Sequence, residues 1–430
     1  MSFSLLHPRD QIVAIMARIY GHDMTTTSGG NISVRDDNGD MWITPARVDK
    51  GSLHAQDIVR VAPDGTCHGN HPPSSEFPFH LSIYKARPDI RAIVHAHPGA
   101  LVSFSICGQV PDTRIFPEAW NVCGKIGFAP YALPGSRLLG ENIAAEFASE
   151  VHPSCVVLQN HGVVVGAENL EVAFQRFETL EFTAETILNA RALGEVRCLS
   201  DAQMALSRKP RKILPEHAPE APTSREKELR KEICDFVHRA YAHKLMTSTK
   251  GSFSARIDAD SFLFTPYNVD RCALGLADLV VVRSGARAAG QTPSRACGIH
   301  SAIYHAHPEI HAVVNALPVH ASAFSASGAR LDSRTIPESY LFLKDVGMIR
   351  FEDQYGDTDG IASLIGPKNP VALLENNGVL VAGLTVLDAF DRLEVLEATA
   401  SAILRSRSLG EVRPMSDAVI KELLDAFPSM

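Results

Sequence analysis

Most of this 430-residue chain is written twice, and the duplication constrains its fold more than any other feature. Ile93-Val94-His95-Ala96-His97-Pro98 returns as Val313-Val314-Asn315-Ala316-Leu317-Pro318, with the frame kept and both histidines gone. Arg18-Ile19-Tyr20-Gly21-His22 returns as Arg239-Ala240-Tyr241-Ala242-His243, and Ile43-Thr44-Pro45 as Phe264-Thr265-Pro266. Phe116-Pro117-Glu118 returns as Ile336-Pro337-Glu338, and Leu193-Gly194-Glu195-Val196-Arg197 as Leu409-Gly410-Glu411-Val412-Arg413. The offset drifts only from 221 (241 minus 20) to 216 (409 minus 193), so few insertions separate the copies. The chain is therefore its own control. Residues kept in both copies serve the fold, and polar residues present in one copy are candidates for function.

Two domains of roughly 200 residues each can bury their own cores without metal or disulfide support. The boundaries read as 1–206 for a metal-binding domain, 207–224 for a Pro-rich exposed linker, and 225–430 for a degenerate second domain. The formal net charge is −8, from 41 basic and 49 acidic residues, which argues against a nucleic-acid partner. The basic run Arg208-Lys209-Pro210-Arg211-Lys212 falls in the expected linker. The eight cysteines form no CxxC pair and read as reduced thiols in the cytoplasm. The N-terminus lacks the basic and apolar regions of a signal peptide, and no apolar stretch reaches the length of a membrane span.

Helical apolar spacing predicts amphipathic helices over 10–21 and 226–242, and Pro88 should end a helix over 77–87. Strand-like runs cover 41–44, 58–61 and 91–97, with a strand–turn–strand at 155–166. Long helices over 170–193 and 386–409 close the copies. Strands mixed with helices imply an α/β fold with a central sheet in each copy.

His95 and His97 are two apart on an expected strand, so both imidazoles leave one face. His161 stands at the glycine turn of Asn160-His161-Gly162, where a strand end can expose a ligand. Three neutral histidines leave a zinc ion its charge and one open position, as a Lewis-acid site requires. Iron, manganese or cobalt also suits such a site. A single buried histidine is ordinarily satisfied by hydrogen bonds instead. Here the second copy replaces all three, by Asn315, Leu317 and Asn377, and coordinated loss fits one shared function. Glu76 follows the same rule, because Pro73-Ser74-Ser75-Glu76 becomes Pro293-Ser294-Arg295-Ala296. It reads either as a favourable acidic residue at a hydroxyl-capped helix start or as a carboxylate that moves a proton near the metal. His80 and Tyr84 persist as His300 and Tyr304 and read as structural. Ser28-Gly29-Gly30-Asn31 reads as a glycine turn or, with Ser74 and Ser75, as donors to a phosphate or carboxylate.

Together, Ser28-Gly29-Gly30-Asn31-Ile32-Ser33, Pro73-Ser74-Ser75-Glu76, His95-Ala96-His97 and Asn160-His161-Gly162 resemble the class II aldolase/adducin family, of the L-fuculose-phosphate aldolase kind. Both copies resemble it over nearly their whole length. The resemblance implies tandem α/β/α domains, each with a mainly antiparallel sheet flanked by helices. It implies zinc on His95, His97 and His161, an acid/base at Glu76, and an anion site at Gly30, Asn31, Ser74 and Ser75. Two departures stand out. Thr44-Pro45-Ala46-Arg47 lacks the family's usual Thr-Pro-(Ser/Thr)-Gly ending, so Arg47 becomes a candidate for binding a carboxylate or phosphate. The segment 116–120 lacks the tyrosine of the fuculose-type aldolases, and Glu118 becomes a second acid/base candidate.

The expected activity is carbon–carbon cleavage or formation beside a hydroxy-ketone, through a metal-stabilised enediolate. Decarboxylation, dehydration or epimerisation uses the same chemistry, and a non-catalytic adducin-like scaffold is the alternative from another class. One divalent ion per chain is expected, with a small hydroxy-carbonyl substrate. Because the family forms fourfold rings, two chains are expected to pair as a homodimer in a pseudo-fourfold ring.

Overall fold

The structure, a computed structural model, describes residues 3–210, 213–356 and 358–428. Two compact units divide the chain: Met1–Arg114 with Glu118–Glu185, and Ile115–Pro117 with Thr186–Met430.

The first repeat runs α1 (Pro8–Gly21), β1 (Asn31–Arg35), β2 (Met41–Ile43), β3 (Val59–Val61), β4 (Cys67–His68), α2 (Phe77–Ala86), β5 (Ala92–Ala96), α3 (Gly99–Ile106), α4 (Pro117–Cys123), β6 (Gly127–Ala129), α5 (Arg137–Phe147), β7 (Cys155–Leu158), β8 (Gly162–Ala167) and α6 (Leu170–Leu193). Its sheet has the order β4-β3-β2-β1-β5-β8-β7-β6. Every pairing is antiparallel except β6 with β7. Strand alternation sorts the side chains of β5. Ile93 enters a core with Phe79 and Ile83 of α2 and with Leu139, Ile143 and Phe147 of α5. His95 stands on that same face, edge-on to Phe79. The central strands are buried on both faces, which is why they read as unbroken Val/Ile runs.

The second repeat follows α7 (Asp201–Ser207), β9 (Glu216–His217) and α8 (Ser224–Ala242). It continues with β10 (Ser252–Arg256), β11 (Ser261–Phe264), β12 (Val280–Arg283), β13 (Ala286–Ala288), α9 (Cys297–Ala306), β14 (Ala312–Ala316), α10 (Val319–Ser327), α11 (Pro337–Leu343), β15 (Gly347–Ile349), α12 (Thr358–Leu364), β16 (Val371–Leu374), β17 (Gly378–Gly383), α13 (Val386–Ser406) and α14 (Asp417–Ala426). The sheet order β15-β16-β17-β14-β10-β11-β12-β13-β9 repeats the first sheet and adds one strand. One face packs on α8, α10 and α13, and the other on α9 and α12. Each repeat is an α/β/α layer structure, as the resemblance implied.

The described part of the stretch 207–224 is almost entirely exposed, and it adds one short strand that the sequence does not announce. Glu216–His217 pairs in parallel with β13 and becomes an edge strand of the second sheet. Ion pairs from Arg287 to Glu216 and from Arg283 to Glu220 pin it there. The reason is the open edge of β13, whose backbone groups take the nearest available strand. Arg211 and Lys212 of the basic run lie outside the described residues. All eight cysteines are free thiols. Among the described residues, no helix is long and apolar enough to cross a membrane.

Candidate metal centre

The N-cap and face of α2 organise the site. Glu76, His80 and Tyr84 are spaced four apart, so they follow one side of the helix. That side meets β1, whose alternate residues Asn31 and Ser33 point toward it. Ser33 Oγ bonds both His80 Nδ1 and Tyr84 Oη, each at 2.7 Å. His80 Nε2 bonds Asn31 Oδ1, and Asn31 Nδ2 donates to Glu76 Oε2 at 2.8 Å. A buried chain of hydrogen bonds thus runs from Tyr84 to the Glu76 carboxylate. Burial first, and then His95, push the His80 imidazole down to about 3, so it stays neutral.

Asn31 pairs in register with His95 across β1 and β5. His95 Nδ1 lies 2.9 Å from Val163 O, which places the proton on Nδ1 and leaves the Nε2 lone pair facing the site. His97 follows the last residue of β5, and its Nε2 lies 3.2 Å from His95 Nε2. His161 enters from the β7–β8 turn, where Asn160 adopts φ 55°. One ligand atom from each of the three histidines lies within 4.8 Å of the others. Burial first, and then His95, push His97 down to about 3 and His161 down to about 4.

Glu76 closes the group. Its Oε2 lies 3.2 Å from His95 Nε2 and its Oε1 3.4 Å from His161 Nε2. Oε1 is buried without a hydrogen bond. Burial pulls the carboxyl pKa upward, but His95, then His161 and Asn31, outweigh it and hold the group well below the ordinary carboxylate range. Imidazoles depressed at His97 and His161, the inward-facing Nε2 of His95 and an orphaned buried carboxylate oxygen are the donor set that a divalent cation satisfies. The residues therefore fit a metal ion.

The remaining expected residues are placed differently. Gly30 has φ 72°, and a Cβ there would sit 2.7 Å from His95 O, so close backbone approach explains this glycine. Asn31 is engaged by His80 and Glu76 rather than open to an anion. Ser74 is buried, and its Oγ accepts from the Glu76 N–H at 3.3 Å, a turn contact two residues along the chain; Glu76 is itself the N-cap, so the hydroxyl cap expected at this helix start does not form. Ser75 and Arg47 are exposed. Arg47 holds φ 56°, the left-handed conformation that favours the family's glycine. Glu118 lies on α4 within electrostatic reach of Cys123, and among the described residues it is not part of the histidine cluster. The role of Asn31 as the partner of Glu76 escaped the sequence reading. Its signal was present, because Asn31 becomes Ser252 in the same copy that turns Glu76 into Ala296.

Fold and site define a tandem α/β/α protein in which, among the described residues, one histidine cluster that could hold a metal ion lies in the first repeat. Residues 10–188 and 231–404 each match the family described as Class II Aldolase and Adducin N-terminal domain. The chain belongs to the class II aldolase/adducin family. It is 35% identical over 184 residues to a 3-oxo-tetronate 4-phosphate decarboxylase of Pectobacterium atrosepticum, covering 42% of this chain and 83% of that protein. It is 31% identical over 199 residues to a 5-deoxy-D-ribulose 1-phosphate aldolase of Bacillus thuringiensis, covering 46% and 91%. A solved L-fuculose 1-phosphate aldolase matches at 31% identity with TM-score 0.42, covering 46% of this chain and 93% of that one. Each match spans about one repeat.

Proposed function

We propose that the first repeat is a metal-dependent lyase that makes or breaks a bond to the carbon beside a carbonyl in a hydroxy-ketone or sugar, phosphorylated or free. The convergence of His95, His97 and His161 on the Glu76 carboxylate carries this reading. A divalent ion bound there, zinc foremost, supplies Lewis-acid stabilisation of oxygen-centred negative charge next to the reacting carbon. The protein's own groups do the rest. Val163 O fixes the His95 tautomer. Asn31, itself held by His80, aims Glu76. The ionised Glu76 accepts a proton from the substrate carbon in one direction and returns it in the other. Burial of Glu76 limits water access to the proton in transit.

Aldol cleavage and decarboxylation differ only in the group that leaves, and the relatives include both an aldolase and a decarboxylase. A carboxylate substrate would give the exposed Arg47 a partner. We place the activity in the cytoplasm, in keeping with eight free thiols. Purified metal-loaded protein, assayed against hydroxy-ketones and 3-oxo acids in phosphorylated and free forms, tests the proposal. Turnover of one class is expected, abolished by a chelator. Failure of every class with metal bound would overturn it.

A further inference from the structure

One buried hydroxyl beside the metal centre has no partner. Thr25 lies between α1 and β1 and is 9% exposed, and among the described residues its Oγ1 is buried without a hydrogen bond. Buried polar atoms are ordinarily satisfied, so this one needs a reason. The second repeat sharpens the point. Thr25 corresponds to Met246, which belongs to the apolar core of its own repeat. The same chain position therefore accepts an apolar side chain, and packing alone does not call for a hydroxyl. The surroundings of Gly29 supply the reason. A Cβ on Gly29 would lie 3.0 Å from Thr25 Oγ1, 2.9 Å from Thr26 Oγ1 and 3.1 Å from His97 Nδ1. Three polar atoms thus surround the bare flank of one glycine. Thr25 Oγ1 and His97 Nδ1 are therefore no more than about 6 Å apart, the reach of one bridging water. Thr26 is exposed, which opens this niche to solvent.

His97 lacks what His95 has. Val163 O fixes the proton of His95 on Nδ1, whereas among the described residues no hydrogen bond reaches His97 Nδ1. A metal-ligating imidazole ordinarily donates its outer N–H to a polar partner, which sets the tautomer and the aim of the ring. We propose that Thr25 is the positioning residue for His97. One water in the niche beside Gly29 accepts from His97 Nδ1–H and donates to Thr25 Oγ1, and this turns the Nε2 lone pair toward the metal. The three residues change together between the repeats. Where His97 becomes Leu317, Thr25 becomes Met246 and Gly29 becomes Lys250. A side chain at position 29 closes the niche, and the two apolar replacements make no hydrogen bond across it. This role rests on the reading of His97 as a metal ligand, and it holds whichever bond the substrate breaks.

Zinc affinity of the full chain, measured by competition with a chromophoric chelator, tests this alongside thermal unfolding of the metal-free protein. Thr25→Val keeps the shape of the side chain and removes the hydroxyl, and Thr25→Ser keeps the hydroxyl. Thr25→Val is expected to bind zinc roughly 10- to 100-fold more weakly, and Thr25→Ser to bind it as the wild type does. Metal-free Thr25→Val is expected to unfold no earlier than the wild type, because the hydroxyl it loses has no partner in the protein. Earlier unfolding of that variant would overturn the positioning role by showing that Thr25 serves packing. Wild-type zinc affinity in Thr25→Val would overturn it and leave the metal centre standing. Equal weakening in Thr25→Val and Thr25→Ser would overturn it as well, because the hydroxyl would not be the cause. A wild type that binds no zinc would remove the metal centre itself, and the role of Thr25 with it.

Discussion

In the first repeat, the position between β1, β5 and the β7–β8 turn gathers three imidazoles and a carboxylate. In the second repeat, the same backbone position gathers amides and an ammonium. Lys250 Nζ lies 3.3 Å from Asn377 Oδ1, and Asn377 Nδ2 donates to Gln354 Oε1 at 2.9 Å. His300 Nε2 bonds Asn315 Oδ1 at 2.7 Å, while Ser252 Oγ and Ser294 Oγ pair where Asn31 and Ser74 stand in the first repeat. The supporting half of the network is unchanged, with Ser254 Oγ on His300 and Tyr304 as Ser33 is on His80 and Tyr84. The comparison separates scaffold from chemistry. The Ser-His-Tyr cluster ties α2 or α9 to its sheet in either case. What changes is the group at its end: a histidine and carboxylate cluster that fits a divalent cation in one repeat, and a cation covalently fixed to the chain in the other.

Glycine carries part of that switch. Lys250 corresponds to Gly29, where a Cβ would sit 2.9 Å from Thr26 Oγ1 and 3.1 Å from His97 Nδ1. A side chain at position 29 and a metal-binding His97 therefore compete for one space, and the second repeat has Leu317 with Lys250.

The largest expected effect is on rate. Glu76→Gln should retain the metal and slow proton exchange at the substrate carbon by roughly 100- to 10,000-fold. Exchange at the wild-type rate in Glu76→Gln would move the acid/base role to Glu118. Next comes Gly29→Lys, which replaces no ligand yet should remove most of the bound metal by displacing His97. Full metal occupancy in this variant would break the proposed competition.

Acid should separate the repeats as well. His80, His97 and His161 are depressed to about 3, 3 and 4, and in the second repeat His300 to about 4. A histidine with a depressed folded pKa takes up its proton on unfolding, so its share of stability is complete above about 6.5 and lost as pH falls toward the folded value. With three such groups against one, the metal-free first repeat should lose hydrogen-exchange protection before the second between pH 6.5 and 4. Simultaneous loss would show that these groups do not set the difference. The effect expected of Arg47→Ala is smaller, a raised KM for anionic substrates with kcat little changed. Equal kinetics on charged and neutral substrates would leave Arg47 a surface residue. Least of all, Lys250→Ala should cost about 1 kcal/mol or less, the net worth of one hydrogen bond, without creating a second metal site.

Much of this was legible in the chain. Pro8–Gly21, Phe77–Ala86 and Leu170–Leu193 fall where apolar spacing and proline placed them, because long periodic segments encode their own burial. His95, His97 and His161 were legible because the second repeat lost them together. Strand β9 was not, since two residues, Glu216 and His217, carry no period. The expected anion site rests on resemblance alone; within the protein, close backbone approach accounts for Gly30, and hydrogen bonds engage the side chains of Asn31 and Ser74.

The central claim is that one repeat holds the metal and the other has replaced it. Elemental analysis of the full chain tests it most directly, alongside the His97→Ala and Leu317→Ala variants. The account predicts close to one divalent ion per chain, nearly none in His97→Ala and an unchanged value in Leu317→Ala. Two ions per chain, or a content that His97→Ala leaves intact, would contradict it.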